Sequence, residues 1–184
     1  MQKKNYIVSH IGQDWHKRDC FGCGPDNPEG LDAVFPFDEN TGEVRFSYSP
    51  KSSHVGAPGL MHGGIIASLL DEAQGVLCFH VGHIVMTDQL QINYHHGVPL
   101  KEPFLVRCRI TSVRRRRLYT SGIILSQNGT VLAESTARWY VLSVRMIQRM
   151  FHGQYSKEEL IRLENLREGN LIRSRLIRRN LKKK

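Results

Sequence analysis

The chain has 184 residues and a mass of 21.1 kDa, with 40% apolar and 23% charged residues, a composition that excludes a disordered chain. No apolar run reaches the roughly 18 residues of a transmembrane helix, and we expect no secretory signal in residues 1–10. The net charge of +9 suggests a nucleic-acid partner, but residues 144–184 hold 12 basic and 4 acidic side chains. The other 143 residues are nearly neutral, so the charge belongs to a tail.

Four cysteines are few for this length, so we expect a reducing, cytoplasmic compartment. Cys20-Phe-Gly-Cys23 has the spacing of half a zinc site, with His10 and His16 upstream. No second cysteine pair follows, and the histidine spacing fits no standard zinc module. We therefore expect a structural turn there, with no metal and no cofactor. The other two cysteines lie in apolar patterns typical of a core: Cys78 and Cys108.

The elements follow in chain order. Residues 20–31, CFGCGPDNPEGL, are rich in turn-forming residues and predict an ordered loop, called the cysteine loop below. Alternation over residues 43–49 predicts a strand, and helical spacing over residues 65–80 predicts a long helix that is buried on most sides. Four more strand patterns follow, the last two joined by a hairpin at Asn128-Gly129: residues 84–94, 103–113, 118–127 and 130–142.

This order predicts an α+β body, residues 1–143, in which an antiparallel sheet with a four-strand meander wraps around one helix. Residues 144–184 predict a basic amphipathic helical extension. Ser156 and Glu159 match a capping box at the start of its main helix, and Gly169-Asn170 predicts a break. We expect the extension to pack on the body or across an oligomer interface.

Two adjacent glycines, Gly63 and Gly64, follow His62 at the start of the long helix. Because they lack side chains, a ligand can approach the first-turn N–H groups, which have no partners within the helix. These donors and the helix dipole would polarise a carbonyl and stabilise an oxyanion, which suits acyl transfer. In the alternative interpretation, His62 is a helix-start residue whose ring bonds to the backbone.

Asp71 interrupts the apolar helix within a small and polar stripe. A carboxylate on a mostly buried helix is costly unless it is hydrogen-bonded, paired or functional. From the residues alone, a catalytic Asp71 and one that caps a loop or pairs across a subunit interface are equally supported. The neighbouring Glu72 competes for any role given to Asp71.

The motif His62-Gly63-Gly64, with an acid nine positions after the histidine, resembles the hotdog-fold acyl-CoA thioesterases, specifically the phenylacetate-degradation (PaaI-like) type. Cys20-Phe-x-Cys-Gly-x-x-Asn-Pro-x-Gly-Leu in the cysteine loop and Gly56-x-Pro-Gly before the histidine resemble further motifs of that group. The resemblance covers roughly residues 20–142. It implies a curved antiparallel sheet around one long helix, and domains that pair as dimers or tetramers with active sites at the dimer interface.

The resemblance also implies residue roles in hydrolysing an acyl-CoA thioester. Asp71 would be the nucleophile or the general base, and the Gly63 N–H, helped by Gly64, would hold the oxyanion. His62 would shape the site, and Thr87, supplied by the neighbouring subunit, would position water or the acid.

The expected substrate-binding residues are Gly56, Gly64, Glu72, Arg114 and Arg115. Some relatives have Asn where this chain has Gly56, which puts an auxiliary water contact in doubt. Basic residues near the site would bind the phosphates of coenzyme A. The run 114–117 supplies them, with Arg107 and Arg109 as further candidates, unless this hairpin tip is simply solvated.

Two other functions are compatible with the fold. One is an acyl-CoA-binding regulatory module whose basic tail contacts nucleic acid or an anionic membrane. The other is a hydratase or dehydratase, although His54 lies too far from Glu72 for the pattern of those relatives. Residues Phe79, Met86 and Leu90 are candidates for lining an acyl pocket, and core packing explains them equally well.

Overall fold

The computed structural model describes residues 20–181, so His10 and His16 lie outside the described residues. It contains a short 3-10 turn at Ser52–His54, six strands and three helices. The strands are β1 (Phe37–Asp38), β2 (Glu43–Tyr48), β3 (Ile84–Tyr94), β4 (Phe104–Arg114), β5 (Arg117–Leu125) and β6 (Val131–Leu142). The helices are α1 (Gly63–His80), α2 (Val144–Met150) and α3 (Lys157–Leu181).

The long helix α1 is the centre of the fold. Its 18 residues pack against β2, β3, β4, β5 and β6, and ten of its side chains are buried. Such burial on several sides explains why apolar residues spread so widely around its helical pattern. The predicted α+β architecture, a curved antiparallel sheet around one long helix, is confirmed.

The sheet order is β1-β2-β4-β5-β6-β3, and every pairing is antiparallel. The predicted four-strand meander is therefore wrong, because β3 pairs with β6 at the edge of the sheet and not with β4. The connection from β3 to β4 passes the amino end of α1. It is held there by the Met61 N–H, which donates to Val98 O at 2.8 Å. Strand β3 is thereby left at an edge of the described sheet.

A network of polar side chains fastens α1 to the sheet. Gln74 is fully buried; its Nε2 donates to Ser135 Oγ at 2.8 Å, and its Oε1 accepts from Thr120 Oγ1 at 2.7 Å. Trp139 Nε1 in turn donates to Thr120 Oγ1 at 2.7 Å. Buried polar groups that are satisfied in this way fix the rotation of a helix, because any other rotation leaves them without partners.

Of the two predictions for the helical extension, one is confirmed and one is wrong. The capping box is confirmed, with the Ser156 N–H donating to Glu159 Oε2 and the Glu159 N–H to Ser156 Oγ. The predicted break at Gly169-Asn170 is wrong, because α3 runs through it. Asn170 Nδ2 donates to Phe79 O at the carboxyl end of α1, and this docking offsets the cost of about 1 kcal/mol for a glycine within a helix.

The core contains Cys78 and Cys108, both completely buried as predicted. Within residues 20–181, no helix is both long enough and apolar enough to cross a membrane.

Candidate active site

His62 is the residue that caps α1. Its Nδ1 accepts a hydrogen bond from the Gly64 N–H at 2.9 Å. Its ring therefore satisfies one of the first-turn donors, as the second interpretation from the sequence proposed. Because the Gly64 N–H is engaged, it does not support the expectation that Gly64 shares the oxyanion with Gly63.

Gly63 is the first residue of α1, and its N–H belongs to the group that a helix leaves without an internal acceptor. Its carbonyl accepts from the Tyr94 hydroxyl at 2.9 Å. A side-chain carbon at position 63 would lie 3.7 Å from the Tyr94 ring. The sequence did not single out Tyr94 as a site residue; the only signal was its position on the apolar face of β3.

A cavity of about 470 Å³ opens beside this helix start. Gly56 forms part of its wall, and a Cβ there would lie only 2.7 Å from His62 Cα. A side chain at position 56 would therefore require the backbone of His62 to move. The other lining residues come from the loop before α1, the helix start and the end of β3: Ala57, Leu60, Met61, His62, Gly63, Ile66, Tyr94, His95, His96, Gly97 and Val98.

Asp71 lies two turns further along α1 and faces β3. Thr87 Oγ1 donates to Asp71 Oδ1 at 3.0 Å. Burial raises the pKa of Asp71 above its ordinary value, and the hydrogen bond from Thr87 opposes that rise. We expected Thr87 from a neighbouring subunit, but within this chain it already contacts Asp71.

A bulge in β3 accounts for the direction of the side chains beyond Thr87. The pairing register with β6 shifts between Thr87 and Gln89. Asp88 is thereby aimed at β5 and β6, where it contacts the Arg117 guanidinium and lies 2.6 Å from Arg138 Nε. The bulge therefore lets adjacent residues face opposite directions: Thr87 contacts α1, and Asp88 forms ion pairs with Arg117 and Arg138.

Glu72 faces another part of the molecule. A Cβ on Gly22 would fall 2.3 Å from Glu72 Cδ, so the Glu72 carboxyl group lies directly against the cysteine loop. The rotation of about 100° between successive helical residues separates it from Asp71. The structure thus brings Asp71 together with Thr87, and Glu72 together with the cysteines.

The arginine hairpin, residues 114–117 between β4 and β5, lies near the carboxyl end of α1, whereas His62 lies at its amino end. Arg114 and Arg115 are exposed at its tip, and Arg116 borders a second cavity with Gly82 and His83, just beyond the carboxyl end of α1. Arg107 pairs with Glu43 at 3.8 Å, and Arg109 Nε donates to Ser121 Oγ at 3.3 Å. Within one chain, none of these arginines reaches the start of α1.

The three candidate acyl-pocket residues lie in different parts of the structure. Phe79 is buried in a small core beneath α2 and α3, which is its packing interpretation. Met86 is exposed on β3, and Leu90 is half-buried on the same strand.

Gly63 and Asp71 are eight residues apart on one helix, which puts them about 12 Å apart along its axis. A carbonyl whose oxygen contacts the Gly63 N–H has its carbon only about 4 Å from that nitrogen. One carbonyl therefore cannot contact both groups of the same chain.

The combination of a six-strand antiparallel sheet, a long central helix and a glycine pair at the helix start defines a hotdog-fold domain. A crystal structure of a thioesterase superfamily protein is similar over 76% of this chain and 85% of that one, with a TM-score of 0.63 and 24% identity. The E. coli PaaI protein of the phenylacetic acid degradation operon is similar over 55% of this chain and 74% of its own, with a TM-score of 0.52 and 14% identity.

The family model described as thioesterase superfamily matches residues 58–133. The resemblance to hotdog-fold thioesterases is therefore confirmed over these residues. The acyl-coenzyme A thioesterase THEM4 of Rattus norvegicus is 36% identical over 77 residues, or 42% of this chain and 33% of that protein. Its human relative THEM5 is 27% identical over 59% of this chain and 44% of that protein.

The chain thus spans less than half the length of these two curated relatives. A Candida albicans protein, 24% identical over 66% of this chain and 56% of its own length, is named an uncharacterised mitochondrial protein. The cytoplasmic location expected for this chain stays a prediction.

Proposed function

We propose that the protein is an acyl-CoA thioesterase that hydrolyses an acyl-CoA to the free acid and coenzyme A. The observation that carries the proposal is the hydrogen bond from Thr87 on β3 to the half-buried Asp71 on α1. The first residue of the same helix, Gly63, offers a backbone N–H donor. A carboxylate and an oxyanion donor are the two groups that thioester hydrolysis requires.

Several matches support this activity. The similar rat and human proteins are named acyl-coenzyme A thioesterases, and a similar Streptococcus mutans protein (TM-score 0.54, 22% identity, 60% of this chain and 86% of that one) was crystallised bound to acetyl-CoA. In a hypothetical thioesterase of Streptococcus pneumoniae with a similar fold, an aspartate and a threonine 16 positions apart were each replaced by alanine. Asp71 and Thr87 have the same spacing.

The chemistry divides between the two groups. The Gly63 N–H binds the thioester oxygen and stabilises the negative charge that forms on it, since a donor fixed at a helix start needs no reorganisation. Asp71 either attacks the carbonyl carbon or removes a proton from the attacking water. The carbon–sulfur bond then breaks, and the CoA sulfur leaves as a thiolate that takes up a proton. If water attacked, the product is the free acid; if Asp71 attacked, the product is an acyl–aspartyl anhydride, which water hydrolyses to the free acid and the Asp71 carboxylate.

The protein acts as a homodimer in this proposal. Because Gly63 and Asp71 of one chain are too far apart for one carbonyl, Gly63 of one protomer works with Asp71 of the partner subunit. The edge strand β3 supports this assembly: it is 11 residues long, carries Thr87 and exposes Met86 and Tyr94. A two-fold axis beside β3 makes both contacts reciprocal and gives two sites per dimer.

The dimer also accounts for the distance between the arginine hairpin and the helix start. An antiparallel pair of α1 helices brings the carboxyl end of one helix, with Arg114 and Arg115, towards the site that the other helix begins. There the exposed guanidinium groups bind the phosphates of coenzyme A.

A screen of short, medium, long and aromatic acyl-CoAs tests the proposal, with release of the CoA thiol as the readout. Turnover of one class above an Asp71→Asn control prepared in the same way supports it. No turnover of any class contradicts it.

A further inference from the structure

The cysteine loop and α1 together form a cluster of metal-binding groups. Cys20 Sγ, Cys23 Sγ and a Glu72 carboxylate oxygen all lie within 4.8 Å of one another. The two cysteines belong to a tight turn in which the Gly24 N–H donates to Cys20 O at 2.9 Å. The sequence favoured a simple turn because no second cysteine pair follows and the upstream histidines fit no standard zinc module. Glu72, 49 positions after Cys23, is brought to the cysteines by the fold.

The turn is built to close over the carboxylate. Gly22 is buried between the two cysteines, and a side chain at that position would overlap the Glu72 carboxyl group at 2.3 Å from Cδ. The Leu31 N–H donates to Phe21 O at 2.8 Å, and the Leu31 side chain is buried in the main core. The loop is therefore held in place from within the body, with its two sulfur atoms facing α1.

The charges in this cluster require compensation. Two thiols beside a partly buried carboxylate repel one another if they ionise. A divalent cation removes most of this repulsion, because it offsets two of the three negative charges of two thiolates and one carboxylate.

We propose that Cys20, Cys23 and Glu72 bind one Zn²⁺ ion, which ties the cysteine loop to α1 beside Asp71. Two thiolates select a borderline-soft ion such as zinc over magnesium or calcium. Zinc–sulfur bonds of about 2.3 Å and zinc–oxygen bonds of about 2.0–2.2 Å place tetrahedral ligands about 3.5 Å apart, within reach of small rotations in this cluster. The described residues supply three ligands, and water takes the fourth position. The ion is structural and takes no part in thioester hydrolysis.

Metal analysis of the full chain, purified under reducing conditions without a histidine tag and dialysed against dilute chelator, provides the first test. We expect about one zinc per chain. Cys20→Ala, Cys23→Ala and Glu72→Gln each lose most of it, whereas Cys108→Ala, which removes a buried thiol elsewhere, keeps it. Wild-type protein without zinc, or a Glu72→Gln variant with full zinc content, overturns the proposal.

Two measurements on unmutated protein keep the test valid if a cysteine variant fails to fold. Cobalt reconstitution should produce a thiolate-to-cobalt charge-transfer band, and stronger chelators should lower Tm by about 5 °C or more, with recovery on adding zinc. A Cys20–Cys23 disulfide in protein purified without reductant, with no charge-transfer band after reduction and addition of cobalt, means that the pair is a redox pair and the proposal is wrong.

Discussion

Thr87 Oγ1 donates a hydrogen bond to Asp71 Oδ1 at 3.0 Å, and this bond joins the edge strand β3 to the central helix. It favours the ionised form of a carboxyl group whose pKa is raised by burial. The same contact therefore orients the proposed base and keeps it able to accept a proton near neutral pH.

Thr87→Val should move the acidic limb of the kcat/KM profile to higher pH. The sign follows because the variant removes the one contact that lowers the Asp71 pKa and leaves the burial that raises it. We also expect about a tenfold lower kcat at neutral pH, the usual value of one hydrogen bond to a charged group. Thr87→Ser keeps the hydroxyl and should retain the wild-type limb; an unshifted limb in Thr87→Val contradicts the assignment.

Asp71→Asn should lower acyl-CoA hydrolysis by about 10²-fold or more, because an amide can neither attack the carbonyl nor accept the proton of water. Circular dichroism and Tm should remain close to wild type, since Asn still accepts from Thr87. The contrasting variant is Glu72→Gln, whose carboxyl group faces the cysteine loop. If Asp71→Asn retained full activity and Glu72→Gln lost it, the two acids would have the opposite roles.

Gly63→Pro should lower kcat by about 10²-fold, the cost of removing one oxyanion donor. Proline lacks the N–H but is favoured at the first position of a helix, and His62 has the extended backbone (φ −65°, ψ 135°) that a residue before proline requires. The change therefore removes the donor and leaves the helix.

Gly63→Ala is the matched control for this loss. Its Cβ makes an ordinary contact with Tyr94 at 3.7 Å and its N–H is retained, so most of the activity should remain. Equal losses in the proline and alanine variants would mean that the side chain and not the donor matters.

Mixing the two inactive variants tests whether the site lies between subunits. After Asp71→Asn and Gly63→Pro chains are unfolded and refolded together, each mixed dimer has one site with both wild-type groups. Random pairing then restores about a quarter of the wild-type activity per chain. Each variant refolded alone supplies the baseline, and a mixture that stays at that baseline means that Gly63 and Asp71 act within one chain.

Local patterns in the sequence predicted the elements well because the apolar residues keep one period within each element. The helix α1 and the strand β3 differ from their predicted bounds by two residues or fewer. The predicted position of β3 in the sheet was wrong because strands that are neighbours in sequence usually pair. The segment that leads from β3 past the start of α1 to β4 has no local sequence pattern that indicates the different pairing.

The site was predictable only in part for the same reason. His62, Gly63 and Asp71 lie on one continuous segment, so their spacing was visible in the sequence. Tyr94 against Gly63 and Glu72 against Gly22 join residues far apart in the chain, and the contacts depend on the rotation of α1. That rotation is fixed by Gln74, whose partners come from β5 and β6.

Stability should fall on acidification because of His80. Its ring is buried, its Nε2 donates to Phe35 O at 2.9 Å, and no acceptor or donor among residues 20–181 contacts its Nδ1. Burial lowers the pKa of His80 to about 4. The hydrogen bond to Phe35 O and the charge of Glu39 oppose this shift, and the charge of Arg173 adds to it. In the unfolded chain, His80 therefore becomes protonated as the pH falls below 6.5. In the folded chain, it stays neutral until the pH falls to about 4.

The stability that His80 contributes is thus complete above pH 6.5 and is lost progressively between pH 6.5 and pH 4, by about 3 kcal/mol in total. Urea unfolding at pH 7, 5.5 and 4.5 measures this slope. His80→Gln can keep the bond to Phe35 without the titrating ring, so its slope should be smaller even if its stability at pH 7 is lower. His54, whose pKa is also lowered by burial, retains its own contribution in this variant. A His80→Gln slope equal to that of the wild type would show that His80 does not titrate in this range.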